Sequence, residues 1–334
     1  MVKLLDCTLR DGGHVVGCDF GKQKIRNIVK SLEKSNCDII ELGFLMDKEY
    51  TSDKSIFNSV SQAKPFIGKN SSAEYSLLFQ QDQFNDENLE MCDGSIKHIR
   101  ISFHTYDKVE GLLKAARVKN KGYDVHINPI NFANYSDNDV LAMIDDVNKI
   151  LPHTFTIVDT FGSLDLTRFK KLSDTVLKLL DPTIEVGIHL HENLASSFVL
   201  AQYFLMTAES NRKISIDASL DGMGKIPGNL PMELIMDYVN KYMTGEYKIS
   251  ELYGCIDKDI KPIKIEKPWG YSASFAMAAQ RSVHRSYAAF GVENGLTLSQ
   301  LDNFFSLLEK NQNEKYSKCL YNKKFAEDSV KLVR

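Results

Sequence analysis

The sequence predicts an α/β protein, a TIM-type (β/α)8 barrel with a C-terminal helical extension. Eight apolar, strand-like runs recur about every 30 residues, the interval that eight strand-helix units of a barrel require. The chain of 334 residues exceeds the roughly 250 residues of such a barrel, so the remainder is predicted to be an appendage. The runs cover residues 3–9, 37–45, 73–79, 96–103, 123–130, 154–161, 184–190 and 213–220.

Segments of helical periodicity lie between these runs and complete the alternation. The segment that begins "SDNDVLAMIDDVNKI" starts with a capping residue, Ser136. An open Rossmann-like sheet would show the same alternation, but no GxGxxG motif follows the first run. The apolar faces comprise Ile25, Ile28, Val29 and Leu32 after the first run, and Leu166, Phe169, Leu172 and Val176 after the sixth.

Composition excludes several functional classes. The net charge is -3 and the Lys and Arg residues are scattered, so no nucleic-acid partner is predicted. No apolar run approaches the roughly 18 residues of a membrane helix, and the N-terminus has no signal-peptide pattern. We therefore expect a cytoplasmic protein without a membrane partner. The six cysteines contain no CxxC pair, which disfavours a zinc ribbon or a dithiol redox site.

The stretch "DCTLRDGGHVVGCDF" at residues 6–20 places a cation, a carboxylate and an imidazole where the first strand should end. These residues are Arg10, Asp11 and His14. Functional residues of such barrels lie at the C-terminal ends of several strands, so this stretch is predicted to face the active site. Gly12 and Gly13 are expected to allow a sharp turn with positive φ and the close approach of a substrate.

The seventh run ends in His189-Leu190-His191. Alternate side chains of a strand face the same way, so the two imidazoles should point together into the barrel mouth. Together with Asp11 they would form a set of two nitrogens and one oxygen, which suits Mn²⁺, Mg²⁺, Fe²⁺, Co²⁺ or Zn²⁺. Open coordination positions would imply catalysis. Arg10 and Asp11 alone could instead form a surface ion pair.

Three motifs occur in order: "LRDGGH", "HLHENLASS" and "DASLDGMGKIPGNLPMEL". Together they resemble the DRE-TIM metallolyase (HMGL-like) superfamily, which includes 3-hydroxy-3-methylglutaryl-CoA lyases and isopropylmalate and homocitrate synthases. The resemblance covers roughly residues 3–290 and is greatest to the 4-hydroxy-2-oxovalerate aldolases. It implies that Asp11, His189 and His191 bind the metal, with Asn229 as a further ligand. Mn²⁺ or Mg²⁺ is the expected ion, and Zn²⁺ or Co²⁺ the alternative.

The resemblance also implies catalytic roles. Arg10 would neutralise an enolate oxygen, His14 would transfer a proton at the substrate hydroxyl, and Tyr271 in "GYSASF" would line the active site. His104, at the end of the fourth run, either binds the substrate carboxylate or caps the strand. The expected reaction cleaves a 4-hydroxy-2-oxoacid into pyruvate and an aldehyde, or joins them. A Claisen-type synthase using acyl-CoA and a 2-oxoacid, a barrel metal hydrolase and a non-catalytic scaffold are the alternatives.

The domain organisation follows from the same patterns. Residues 1–260 are predicted to form the barrel and residues 261–334 the helical extension, where Leu301, Phe304, Phe305 and Leu308 share one helix face. The resemblance implies that such an extension docks an aldehyde dehydrogenase, whereas homodimer packing is an equally good interpretation. The small-molecule partners would be the 2-oxoacid and the aldehyde.

Overall fold

Eight parallel strands close into a barrel in the computed structural model, which describes residues 2–68, 71–208, 212–225 and 227–308. Closure comes from the first strand, which pairs with both the second and the last. A short ninth strand, β3, pairs with β2 outside the barrel. The predicted TIM barrel is therefore confirmed. The strands are β1 Val2–Asp6, β2 Ile39–Leu45, β3 Ile56–Phe57, β4 Glu74–Gln80, β5 His98–Phe103, β6 Asp124–Pro129, β7 Thr154–Val158, β8 Glu185–His189 and β9 Ile214–Ala218.

Helices alternate with the strands and bury their apolar faces against the barrel. After β4 the described chain forms only a short 3-10 turn, Asp86–Asn88, in place of a long helix. The helices are α1 Gly13–Val16, α2 Lys22–Lys34, α3 Val60–Ala63, α4 Lys108–Asn120, α5 Asp137–Ile150, α6 Leu166–Leu179, α7 Ser197–Thr207, α8 Met232–Tyr242, α9 Ser250–Cys255, α10 Lys261–Glu266, α11 Ala273–Gln280, α12 Arg285–Glu293 and α13 Leu298–Ser306.

The helical predictions hold with one exception. The four apolar residues predicted for α2 are buried, and the Ser136 hydroxyl accepts a hydrogen bond from the Asp139 amide at the start of α5. Leu166, however, is the first residue of α6 and is 48% exposed. The buried stripe of α6 begins one turn later, at Phe169, so including Leu166 in that face was wrong.

The first strand is shorter than predicted, ending at Asp6 instead of residue 9. The Asp6 carboxylate accepts hydrogen bonds from the Thr8 amide (3.0 Å) and the Thr8 hydroxyl (2.9 Å). These local bonds compete with an extended backbone, because they bend the chain at the strand end. The chain then forms a π-helical turn, Thr8–Gly12, which carries Arg10 and Asp11.

The expectation of positive φ at Gly12 and Gly13 was wrong, because both adopt right-handed helical backbone with φ of -56° and -52°. Close packing, and not an unusual backbone conformation, explains why glycine occupies these two positions. A Cβ at Gly12 would lie 3.1 Å from Met223 Cγ, and one at Gly13 would lie 3.0 Å from Cys18 Sγ. The turn therefore packs tightly against neighbouring chain, which fixes the position of the two charged residues that precede the glycines.

The helical region after the barrel has its own apolar cluster. Phe275, Tyr287 and Phe304 pack in it, and α13 buries Leu301, Phe304 and Phe305 as predicted, whereas Leu308 lies beyond the end of this helix and is only partly buried. Ile263 and Trp269 instead pack with the barrel core. The boundary after residue 260 remains a prediction, and residues 309–334 of the predicted extension lie outside the described residues. Within the described chain, every helix is either too short or too polar to cross a membrane.

Candidate active site

Three of the four predicted metal ligands meet at the C-terminal end of the barrel. Asp11 comes from the π-helical turn, His189 ends β8, and His191 follows two residues later. One ligand atom from each lies within 4.8 Å of the others. The Nε2 atoms of His189 and His191 lie 3.6 Å and 3.8 Å from the two carboxylate oxygens of Asp11. All three side chains are buried, so they form one shared site shielded from bulk water.

The other ring nitrogens of the two histidines have hydrogen-bond partners. His189 Nδ1 lies 3.0 Å from Asp217 Oδ2, and His191 Nδ1 lies 2.9 Å from the Asp159 carbonyl oxygen. These acceptors favour the tautomer with a proton on Nδ1, which leaves the Nε2 lone pairs facing Asp11. His191 Nε2 is buried and makes no hydrogen bond to any described residue. A pair of imidazoles held in this way is typical of metal ligation.

Electrostatics shifts the pKa of all three groups, and at Asp11 and His191 it favours the protonation state that binds a metal. Burial alone would raise the pKa of Asp11, but the Arg10 guanidinium and both imidazoles hold it well below its ordinary value. Burial, together with the charge of Arg285, lowers the pKa of His191 to about 4, so that this ligand is neutral at pH 7. Burial would also lower the pKa of His189, but hydrogen bonds to Asp11 and Asp217 raise it overall.

Asn229 completes the predicted ligand set. It follows β9 and forms an isolated backbone bridge with His191. Its Nδ2 donates to Asp11 Oδ1 (3.2 Å) and to the Met223 carbonyl (3.0 Å), whereas its Oδ1 is buried and makes no hydrogen bond in the described structure. A Cβ at Gly224 would come within 2.4 Å of the amide nitrogen, so the glycine leaves room for this orientation. The amide oxygen is therefore available as a ligand.

A closed set of buried charges surrounds the ligands, and we call it the charge ring. Arg10 donates from Nε to Glu41 Oε2 and from Nη1 to Asp11 Oδ2, both at 2.7 Å. Arg100 donates from Nη1 to Glu41 Oε1 at 3.2 Å, and from Nη2 to Asp217 Oδ2. Asp217 then contacts His189, which faces Asp11. The ring comprises Asp11, Arg10, Glu41, Arg100, Asp217 and His189.

These residues fit a divalent cation. Two imidazole nitrogens and a carboxylate converge, with the Asn229 amide beside the carboxylate, and two buried atoms, His191 Nε2 and Asn229 Oδ1, make no hydrogen bond to described residues. Three carboxylates against two guanidiniums also leave an excess negative charge in the charge ring, which a cation would offset. Such a mixed nitrogen and oxygen set suits Mn²⁺, Mg²⁺, Co²⁺ and Zn²⁺, and does not select among them.

A cavity of about 720 Å³ opens between the barrel mouth and helices α11 and α12. His14 and Tyr271, both predicted to act at the site, line it, together with the basic residues Lys225 and Arg285. The charge of Arg285, followed by burial, lowers the pKa of Lys225 to about 8. Since Glu293 supplies the only carboxylate of the described lining, the cavity is basic.

His14 stands on the wall of this cavity, with its ring edge-on to Phe44 at a centroid distance of 5.5 Å. The side chain is partly open to solvent, and desolvation at the cavity wall lowers its pKa, with Lys225 and Arg10 acting in the same direction and Asp11 opposing them. The imidazole is therefore neutral at pH 7 and can accept a proton.

The remaining two predicted residues lie farther from the ligands. Tyr271 is 65% exposed and lines the outer part of the cavity. His104 follows β5 at the same end of the barrel, but it stacks on Tyr106 with centroids 4.9 Å apart and is not part of the cavity lining. The structure therefore brings Tyr271, and not His104, to the cavity.

A second histidine group lies at the opposite, N-terminal end of the barrel. Its members are His98, His126 and His153. His98 contacts both His126 (3.0 Å) and Glu74 (3.2 Å), while His153 contacts the Thr154 hydroxyl (2.9 Å). Because these hydrogen bonds engage the rings with one another and with protein groups, the group is interpreted as a packed polar cluster.

Sequence reasoning left several site residues unassigned. The sequence analysis assigns no role to Glu41, Arg100, Asp217, Lys225 or Arg285. A charged residue inside an apolar run is a usable signal, since Arg100 and Asp217 interrupt the fourth and eighth runs. Nothing in the local sequence marks Arg285, because it reaches the site from the C-terminal extension.

Comparison with known proteins agrees with the fold. The family model described as HMGL-like matches residues 94–255. A 2-isopropylmalate synthase of Shewanella sediminis is 24% identical over 70% of the chain, and a 4-hydroxy-2-oxovalerate aldolase of Rhodococcus opacus is 23% identical, also over 70%. The matches cover 46% of the synthase and 67% of the aldolase, so the chain spans about half the length of the synthase.

Among solved structures, the N-terminal domain of a candidate aldolase from Bacteroides vulgatus superposes with a TM-score of 0.75 at 23% identity. The superposition covers 87% of this chain and 96% of that domain. The fold is therefore shared nearly end to end with that domain. Residues 94–255 thus match the HMGL-like family model, and most of the chain is similar in sequence to 2-isopropylmalate synthases and to a 4-hydroxy-2-oxovalerate aldolase.

Proposed function

We propose that this protein is a divalent-metal-dependent aldolase that cleaves or forms a carbon-carbon bond next to a 2-oxoacid. One observation carries the proposal: His189, His191, Asp11 and Asn229 converge beside a fixed guanidinium, and the adjoining cavity is lined by His14 and by Lys225, whose amide donates to Asp11. The likeness to an enzyme named 4-hydroxy-2-oxovalerate aldolase supports the choice of reaction. The substrate would be a 4-hydroxy-2-oxoacid, and the products pyruvate and an aldehyde.

Arg10 would neutralise the charge that develops during cleavage. Its Nε and Nη1 are fixed by Glu41 and Asp11, and neither of these contacts uses Nη2. A guanidinium held in this way needs no reorganisation when the substrate oxygen becomes negative, and such preorganised donors are typically worth about 3–4 kcal/mol each. A divalent ion held by Asp11, His189, His191 and Asn229 would supply Lewis-acid charge to the oxygens of the 2-oxoacid.

His14 would move the proton. In the cleavage direction it takes the proton of the C4 hydroxyl, the C3–C4 bond breaks, and the bonding electron pair passes to the pyruvate enolate while C4 becomes the aldehyde carbonyl. Protonation of the enolate at C3 then yields pyruvate. A neutral imidazole on the cavity wall suits this step, since it begins unprotonated at pH 7.

The test is pyruvate methyl exchange in D₂O, followed by NMR with metal-replete protein. We expect the wild type and an Asp19→Ala control, in which an exposed carboxylate is removed, to exchange the methyl protons, and Asp11→Ala to lose the exchange. If the wild type exchanges no faster than Asp11→Ala, enolate formation from pyruvate is refuted. Elemental analysis of His189→Ala should show reduced divalent metal, and unchanged occupancy would remove His189 from the ligand set.

A Claisen-type synthase is the second candidate, favoured by the similarity to 2-isopropylmalate synthase. Such a synthase would release coenzyme A when supplied with an acyl-CoA and a 2-oxoacid, whereas the aldolase would not. Thiol detection with acetyl-CoA and a series of 2-oxoacids separates the two reactions. Release of the thiol that depends on both substrates would replace the aldolase proposal.

A further inference from the structure

Arg285 is a buried cation that forms no ion pair with any residue the structure describes. It begins helix α12 and is only 6% exposed, yet it lines the large cavity. Its Nη1 makes no hydrogen bond to any described residue, and no ion pair involving this side chain occurs among them. A buried charge without a partner is costly, so this arrangement is best explained if a ligand supplies the missing anion.

A second cation faces the same space. Lys225 lines the cavity, and its backbone amide donates to Asp11 Oδ1 (3.2 Å), which ties its position to the ligand set. The two positive charges repel each other, which destabilises the empty cavity. An anion bound between them would remove this repulsion. Arg285 comes from the helical extension and Lys225 from the loop after β9, which means that the two parts of the chain build this subsite together.

The lining of the cavity also includes apolar side chains, among them Phe275, Ala289 and Val292. Its volume of about 720 Å³ lies well inside the range of sites that hold ligands much larger than pyruvate and acetaldehyde. A carbonyl compound with a short carbon chain and a negative terminus matches a cavity that combines apolar side chains with two cations.

We propose that Arg285 and Lys225 bind an anionic terminus, a carboxylate or a phosphate, on the aldehyde that this site joins to or releases from the 2-oxoacid. This inference rests on the proposed aldolase function. The carboxylate of the 2-oxoacid itself belongs near Arg10 and the ligand set, so the second pair of cations is left for the aldehyde. The enzyme would therefore discriminate between aldehydes by their charge.

The decisive measurement is kcat/KM for aldol addition with pyruvate, comparing anionic aldehydes with neutral ones. Succinic semialdehyde tests the carboxylate, glycolaldehyde phosphate tests the phosphate, and butanal is the neutral reference. A charge-assisted hydrogen bond is worth about 1.5–3 kcal/mol, so Arg285→Met should reduce the preference for an anionic aldehyde about 10- to 100-fold. Arg285→Lys should restore part of the preference.

Arg281→Met is the matched control, because Arg281 is an exposed arginine of the same region that pairs with Asp302. It should keep the wild-type preference. An equal loss for neutral and anionic aldehydes in Arg285→Met would overturn the proposal, since it would mean that the guanidinium serves the 2-oxoacid or the packing. If Arg285→Met does not fold, Lys225→Met in the same comparison decides.

Binding can also be measured without turnover. Trp269 is the only tryptophan of the sequence and lines the cavity, so its fluorescence reports on occupancy. Succinate and inorganic phosphate should each titrate the signal of the wild type and of Arg281→Met, but not that of Arg285→Met. Anion binding that depends on Arg285 in a protein without any aldolase activity would support this subsite while refuting the proposed function. Titration curves identical in all three proteins would overturn the subsite.

Discussion

Replacing Asp217 by Asn tests whether the charge ring holds the metal ligands in place. Asp217 is 3% exposed, and its Oδ2 accepts hydrogen bonds from Arg100 and from His189 Nδ1. Asn preserves the shape of the side chain but removes its charge. Arg100 would then keep only Glu41 as an ion-pair partner, and His189 would lose the carboxylate that orients its ring.

We expect the substitution to lower both the stability of the protein and its affinity for the metal. Removing one partner of a buried ion pair costs about 3–5 kcal/mol, so the metal-free variant should unfold at clearly lower urea concentration. Loss of the carboxylate behind a ligating histidine weakens metal binding about 10- to 100-fold, measurable by calorimetric titration with Mn²⁺. Asp237→Asn is the control, because this exposed carboxylate pairs with Lys241 one helical turn away and should cost at most about 0.5 kcal/mol.

The reasoning would be refuted if Asp217→Asn matched Asp237→Asn in both stability and Mn²⁺ affinity. It would then follow that Arg100 and His189 keep their positions without the Asp217 charge, and that the ring is not what orients the ligands. A loss of stability with unchanged affinity would confine the role of Asp217 to the barrel core.

Two further predictions concern stability. Burial raises the pKa of Asp6 to about 7, against hydrogen bonds from Thr8. The folded state therefore keeps a proton on Asp6 that the unfolded chain releases near pH 4. The stability gained from this proton is fully present below pH 4 and is lost as the pH rises through 7. Asp6→Asn lacks it, so its unfolding free energy relative to wild type should rise by about 4 kcal/mol between pH 4 and 8 in urea titrations, and a constant difference would contradict the assignment. A Cβ at Gly111 would lie 2.3 Å from the Phe103 ring. Gly111→Ala should therefore lower the free energy of unfolding by about 1–3 kcal/mol instead of stabilising α4. A more stable variant would show that the Phe103 ring moves aside at little cost.

The sequence predicts which side chains at one strand end face the same way, because side chains along a strand alternate in direction with a period of two residues. His189 and His191 converge for that reason, and Asp11 joins them because parallel strands present their C-terminal ends at one barrel face. The π-helical turn after β1 could not be predicted in the same way. It depends on hydrogen bonds of the Asp6 side chain to Thr8, which compete with strand pairing of almost equal strength.

The partners of these residues were harder to predict. Glu41, Arg100 and Asp217 belong to three different strands, and which of their charges meet depends on strand register around the whole barrel. Arg285 is harder still, because its place at the cavity depends on how the helical extension packs over the barrel mouth. Local patterns identify a charged residue in an apolar run, but the identity of its partner is a tertiary property.

The two charge excesses of the site are of opposite sign and lie next to each other. The charge ring carries an excess negative charge around the ligands, whereas Arg285 and Lys225 carry positive charge on the cavity side. A cation entering the ring removes the negative charge that an incoming carboxylate would otherwise meet at Asp11. The neutralised ring and the two cavity cations then act together on the substrate, so the charges favour an order in which the metal binds first and a substrate with two anionic ends binds second.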